Sequence, residues 1–148
     1  MSASQSSSRA PSDAELRAIL GEAETIAVVG LSSKPDRDSH EVAEFLQDRG
    51  YRIVPINPRE TGVLGEPAYP SLLEVPDDVR IDVVDVFRRA EYTPPIAEQA
   101  VARGAKMLWL QDGIVSEEAR RIAEDAGMTV VMDDCIDRTV RRLLPPAQ

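Results

Sequence analysis

The chain has 148 residues, with 17 Lys and Arg against 26 Asp and Glu and a net charge of −9 at pH 7. That balance opposes nucleic acid or an anionic membrane as a partner and requires any anion site to be a local positive pocket. The length suits one domain able to bury a core, the single cysteine excludes an internal disulfide framework and suits a reducing, cytoplasmic setting, and no apolar run approaches the roughly 18 residues of a membrane span or forms the core of a signal peptide.

Residues 1–12 are serine-rich and poor in apolar side chains, so a disordered tail is expected there, followed by one domain over 13–144 and a short tail over 145–148. A helix is expected over 13–22, capped by Ser12 or Asp13, and a strand over 25–30. Residues 39–49 read as a helix with Val42, Ala43, Phe45 and Leu46 inward and Gly50 as its stop. A second strand follows over 51–56, where Pro55 weakens a central position. The long polar stretch 57–79 holds one short helical turn around 71–74. Beyond it come a strand over 81–87, a helix over 94–103 with Pro94 and Pro95 in its first turn, and a strand over 106–110. A helix over 116–126 ended by Gly127, a strand over 128–132 and a helix over 135–144 complete the chain. Strands alternating with helices predict an α/β fold, a Rossmann-like three-layer sandwich around a five-stranded parallel sheet. The expected strand order is 3-2-1-4-5, with a ligand crevice at the carboxyl ends beside the first strand.

The most informative stretch is Ile26-Ala27-Val28-Val29-Gly30-Leu31-Ser32-Ser33-Lys34-Pro35-Asp36-Arg37-Asp38-Ser39, a buried-strand run that breaks at a glycine into a small, basic loop before a helix. Such a loop builds a phosphate cradle when the N–H groups opening the helix face an anion. A dinucleotide fold would show G-x-G-x-x-G here and an acidic residue at the end of the second strand. This chain has Asn57-Pro58-Arg59 at that end, and Arg59 would attract a phosphate, which points to NADP or coenzyme A; the missing glycines count against NADP. The other strand ends carry Phe87-Arg88-Arg89, Gln111-Asp112-Gly113 and Asp133-Asp134-Cys135. Polar and charged residues thus gather at one edge of the sheet.

Each element also has a structural reading. Gly30 serves any tight turn, Ser39 caps a helix, Arg59 is a surface cation and Phe87 is core. Cys135, at the apparent start of the last helix, either is a small core residue or sits where a thiolate is favoured and a mixed disulfide with a thiol ligand could form. His40 is the sole histidine, with no nucleophile partner or metal-ligand spacing in the sequence, so no catalytic or metal residue is assigned.

The runs 29–37 and 50–58, Leu64-Gly65-Glu66, Tyr69-Pro70-Ser71-Leu72, Val86-Phe87-Arg88-Arg89, Gly104-Ala105-Lys106, Trp109-Leu110-Gln111-Asp112-Gly113-Ile114 and Met132-Asp133-Asp134-Cys135-Ile136 together resemble the small stand-alone CoA-binding domain proteins. Their fold is also that of the CoA-binding domain of the succinyl-CoA synthetase α subunit and of ADP-forming acyl-CoA synthetases. The resemblance spans residues 25–144, without the phosphohistidine and nucleotide-grasp domains of those ligases. It implies binding of CoA or acyl-CoA as the small-molecule partner, with no reaction attached. The phosphate loop would comprise Gly30, Leu31, Ser32, Ser33, Lys34, Pro35, Arg37 and Ser39. Asn57 and Pro58 would face the adenosine end, with Arg59, on position and charge alone, as partner of the ribose 3′-phosphate, and Phe87, Arg88, Gln111, Gly113 and Cys135 would complete the site, with Gln111 and Gly113 offering amides to the pantetheine arm. Family members follow the Cys-Ile pair with an acidic-His stretch, where this chain reads Asp137-Arg138-Thr139-Val140, so no role of that histidine carries over. An NADP-dependent oxidoreductase and the CoA-binding subunit of a multi-chain acyl-CoA ligase stay open as alternatives, as do a protein partner and the oligomeric state.

Overall fold

The computed structural model describes residues 10–146, so the expected tails fall largely on residues 1–9 and 147–148, outside the described residues. Ser12 caps helix α1 (Asp13–Glu22) through a capping box: its hydroxyl accepts from the Glu15 N–H, and the Glu15 carboxylate accepts from the Ser12 N–H. Strand β1 (Thr25–Val29) is buried along its whole length and leads into α2 (Asp38–Asp48) and β2 (Arg52–Ile56). The long stretch after β2 contains an unexpected hairpin, β3 (Gly62–Val63) paired with β4 (Glu66–Pro67). Leu64 and Gly65 at its tip both have positive φ, 55° and 79°, as a two-residue type I′ hairpin turn requires. A 3₁₀ turn over Leu72–Glu74, β5 (Val83–Val86), a second 3₁₀ turn over Ala90–Tyr92, α3 (Thr93–Ala102), β6 (Met107–Leu110), α4 (Glu117–Asp125), β7 (Thr129–Val131) and α5 (Ile136–Leu143) follow.

Five strands form one parallel sheet in the order β2-β1-β5-β6-β7. The expected order 3-2-1-4-5 is corrected on one point: the third long strand, β5, pairs with β1 instead of lying outside β2. Pro55 supplies the reason. Val29 pairs with Ile56 and the Gly30 N–H donates to the Ile56 carbonyl, so Ile56 turns its backbone to β1 and Pro55 turns its own to the outside. A further strand there would need an N–H that proline lacks. Among the described residues a short bridge covers that edge, with Tyr69 donating to the Pro55 carbonyl and accepting from the Asn57 N–H. The chain therefore returns across the sheet before β5 begins, and the reversal point falls between β1 and β5.

Side chains alternate between two cores, as strands covered on both faces demand. Ala27, Val29, Val84, Val86, Leu108 and Leu110 pack against α3, α4 and the first 3₁₀ turn. Ile26, Val28, Val83, Met107 and Trp109 pack against α1, α2 and α5. Arg103, just past α3, clamps the irregular crossover by donating to the carbonyls of Leu72, Val75, Pro76 and Val79 at 2.6–3.0 Å. These bonds replace those a helix would have made for itself. Among the described residues, no helix is long and apolar enough to cross a membrane.

Candidate functional site

A cleft of about 660 Å³ opens at the carboxyl ends of β5, β6 and β7, beside the first turns of α2 and α5. Its walls include Phe87, Arg88, Gln111, Gly113 and Cys135, five of the residues expected at the site. The volume lies within the range of small-molecule sites, and the position is the crevice at the topological switch of an open parallel sheet.

The loop after β1 adjoins this cleft. Gly30 has φ +88°, and a Cβ on it would come within 2.8 Å of the Phe87 carbonyl oxygen and 3.0 Å of Arg88 Cδ. Its glycine is therefore required by the neighbouring end of β5 as well as by the turn. Three N–H groups of the loop, ahead of those that open α2, are engaged within the protein. The Ser32 N–H donates to Ser39 Oγ at 3.0 Å, Ser33 N–H to a Glu60 carboxylate oxygen at 3.0 Å, and Lys34 N–H to Ser32 Oγ at 3.1 Å. Leu31 and Ser39 are buried, while Lys34, Pro35 and Arg37 are exposed. Arg37 is the N-cap of α2 and places no side-chain bond on that helix, leaving its guanidinium uncommitted to capping.

Asn57 ties the first two strand ends together. Its Nδ2 donates to the Leu31 carbonyl and its Oδ1 accepts from the Arg59 N–H. Pro58 and Arg59 are exposed beside it, and neither they nor residues 30–37 are walls of the cleft itself. The expected site thus divides into a loop zone over β1 and β2 and a cleft zone over β5 to β7.

At the cleft end of β6, the buried Gln111 side chain donates to Cys135 Sγ at 3.4 Å and accepts from the Ile136 N–H at 3.2 Å. Cys135 is the N-cap of α5, but its sulfur caps nothing; the thiol donates to the Asp137 carboxylate. Burial first, then the Asp137 hydrogen bond and charge, push its pKa up to about 11. Of the two readings of Cys135, this environment favours the half-buried structural cysteine over the thiolate, since burial first and then the adjacent carboxylate favour the neutral thiol. Trp109 is fully buried and donates its indole N–H to the Asp134 carbonyl.

Several site residues were missed from the sequence. Asp38, Glu41 and Asp137 line the cleft. Asp85, two positions before the cleft residue Phe87 in β5, has no exposure, and among the described residues neither of its carboxylate oxygens has a hydrogen-bond partner. Burial, with Asp137 adding to it, raises the Asp85 pKa well above its ordinary value. An acid inside the apolar run Val83-Val84-Asp85-Val86 was the available signal. Among the described residues no group of three or more His, Cys, Asp and Glu is placed to hold a metal ion.

Comparison with known proteins places this geometry. The chain is 48% identical over 126 residues to the uncharacterized protein YneT of Bacillus subtilis, an alignment covering 85% of this chain and 92% of that one. A hypothetical protein from Pyrococcus horikoshii OT3 superimposes with a TM-score of 0.87 at 38% identity, covering 93% of this chain and 97% of that one. The ADP-forming acetate–CoA ligase II subunit alpha of Pyrococcus furiosus is 28% identical over 120 residues, which is 75% of this chain and 26% of that subunit, so this chain spans about a quarter of that relative. The family model described as a CoA binding domain matches residues 24–140, and the chain belongs to that CoA-binding domain family.

Proposed function

We propose that this protein binds coenzyme A or an acyl-CoA across the carboxyl edge of its sheet, as a cytoplasmic binding module and not as an enzyme. The phosphates and adenosine would lie over the loops after β1 and β2, near Lys34, Arg37 and Arg59, and the pantetheine arm would run into the cleft past Arg88, Gln111 and Gly113. One observation carries the reading: Gly30 of the loop sits against Arg88 of the cleft wall, so the two zones adjoin and one elongated anionic ligand can span them. The residues suit such a ligand. Cations flank the loop end, and a cleft of about 660 Å³ has room for an uncharged arm. The protonated state of Cys135 supports a binding role over nucleophilic chemistry.

The test is a calorimetric titration of the ligand-stripped protein with CoA, dephospho-CoA and NADPH. Saturable binding of CoA, weaker for dephospho-CoA, is the expected result. Binding of NADPH without CoA would overturn the reading in favour of a reductase.

A second reading, a CoA-binding subunit of a multi-chain acyl-CoA ligase, is favoured by the match to part of an acetate–CoA ligase subunit. Co-purification of a second polypeptide that confers ATP-dependent ligation would establish it; a protein that purifies alone and binds CoA unaided supports the first.

A further inference from the structure

The part of the cleft around α5 has a chemistry of its own. Asp38 and Glu41 of α2 and Asp137 of α5 line the cleft, and among the described residues none of these three carboxylates makes an ion pair. The neighbouring Arg138 is instead held by Asp112 and Asp134, at 3.0 and 3.4 Å. Asp85 lies on the same face of β5 as Phe87, which lines the cleft. Its two carboxylate oxygens and His40 Nδ1, which belongs to the same turn of α2 as Asp38 and Glu41, are the buried side-chain atoms without a hydrogen-bond partner among the described residues. The charged neighbour that acts on Asp85 is Asp137. The cations of the wall, Arg88 and Arg89, follow β5, and Arg88 is engaged with the loop end: its Cδ lies beside Gly30 and its guanidinium stacks 5.2 Å from the centre of the Tyr92 ring.

If CoA lies as proposed above, its thiol end arrives at Cys135, whose sulfur is bonded to Asp137. We propose that this acidic end of the cleft selects the acyl group carried on the CoA thiol, admitting uncharged acyl chains and rejecting chains that end in a carboxylate. The inference rests on the CoA reading and deepens it. A second carboxylate brought beside Asp137 would meet an unpaired negative charge in a partly desolvated wall, where Coulomb repulsion is weakly screened. Asp85 reports the same environment from within: burial first, and then the nearby Asp137 carboxylate, disfavour its charged form. An uncharged acyl chain meets no such opposition.

The experiment titrates the full chain with CoA, acetyl-CoA and succinyl-CoA, and repeats the series with Asp137→Asn and with Glu41→Gln on the separate helix α2. The wild type is expected to bind succinyl-CoA about tenfold more weakly than acetyl-CoA, and Asp137→Asn to narrow that ratio, with Glu41→Gln narrowing it to a smaller degree. Equal binding of the two acyl-CoA species by the wild type overturns the selectivity while leaving CoA binding intact. A ratio unchanged in both variants overturns the assignment to this wall. Failure of unacylated CoA to bind overturns the CoA reading and the selectivity with it.

Discussion

The backbone N–H of Ser33 donates to the Glu60 carboxylate at 3.0 Å, joining the loop after β1 to the loop after β2 through an acidic side chain. The carboxylate stands where an anionic ligand would seek that donor. A phosphate reaching the loop must displace it or tolerate its charge. Glu60→Gln removes the charge and keeps an oxygen that can accept from Ser33, so CoA affinity is expected to rise about threefold to tenfold. Calorimetry on the two proteins reads this directly, and an unchanged or weaker affinity in the variant would mean that the carboxylate does not compete with ligand.

The environment of Cys135 predicts slow thiol chemistry. With its pKa pushed up to about 11 by burial and by Asp137, about one thiol in a thousand is ionised at pH 8. Alkylation by iodoacetamide, followed by mass spectrometry, should be slower than for an exposed cysteine and should accelerate as pH rises toward 11. Asp137→Asn removes both the charge and the carboxylate acceptor that favour the neutral thiol, so the variant should alkylate faster at pH 8. Incubation with CoA disulfide at neutral pH should leave the wild type unmodified; a rapid adduct at Cys135 would contradict the protonated state.

Local signals in the chain were legible where a residue acts through its own neighbours. Ser12 or Asp13 marks the start of α1, Gly50 stops α2, and β-branched runs mark strands covered on both faces. The gathering of Phe87, Gln111 and Cys135 at one sheet edge follows from that alternation alone. What was not legible depends on distant partners. Pro55 is visible in the sequence, but that it excludes a strand from the outer edge emerges only once β2 is paired with β1. The Ser33 N–H looks free until Glu60, 27 positions further on, is brought to it. For Cys135, Asp137 stands only two positions on and is visible in the sequence, whereas the burial that weighs most on the thiol enters only with the fold.

Asp85 should make stability fall as pH rises. Its pKa is raised in the folded state by burial and then by Asp137, so the folded protein holds a proton that the unfolded chain releases near pH 4. Between that value and the raised folded pKa the native state binds more protons than the unfolded state, and the slope of unfolding free energy against pH is negative. The contribution is complete below pH 4 and is lost progressively above it. Asp85→Asn carries no titrating group, so the difference in stability between variant and wild type should shift in favour of the variant as pH is raised from 4 to 8. Urea denaturation across that range measures it, and a constant difference would show that Asp85 does not hold its proton in the fold.

Gly30 offers a test of how tightly the loop is locked to the cleft wall. An alanine there must adopt φ near +88° and must place its Cβ 2.8 Å from the Phe87 carbonyl oxygen, a backbone atom that cannot swing aside, with Arg88 Cδ at 3.0 Å. Gly104 has a similar φ, +71°, but an added Cβ would meet nothing within 4 Å. Gly104→Ala therefore isolates the conformational penalty, about 1 kcal/mol, while Gly30→Ala adds the steric one and should destabilise by about 2–4 kcal/mol. Paired denaturation curves give the difference. Because relief of the clash would require moving the end of β5, Gly30→Ala should also displace Arg88 and weaken CoA binding, whereas Gly104→Ala should leave CoA binding as it is. Equal destabilisation with CoA binding intact in both would mean that the loop and the end of β5 move independently, and the continuity between the phosphate loop and the cleft would fail with it.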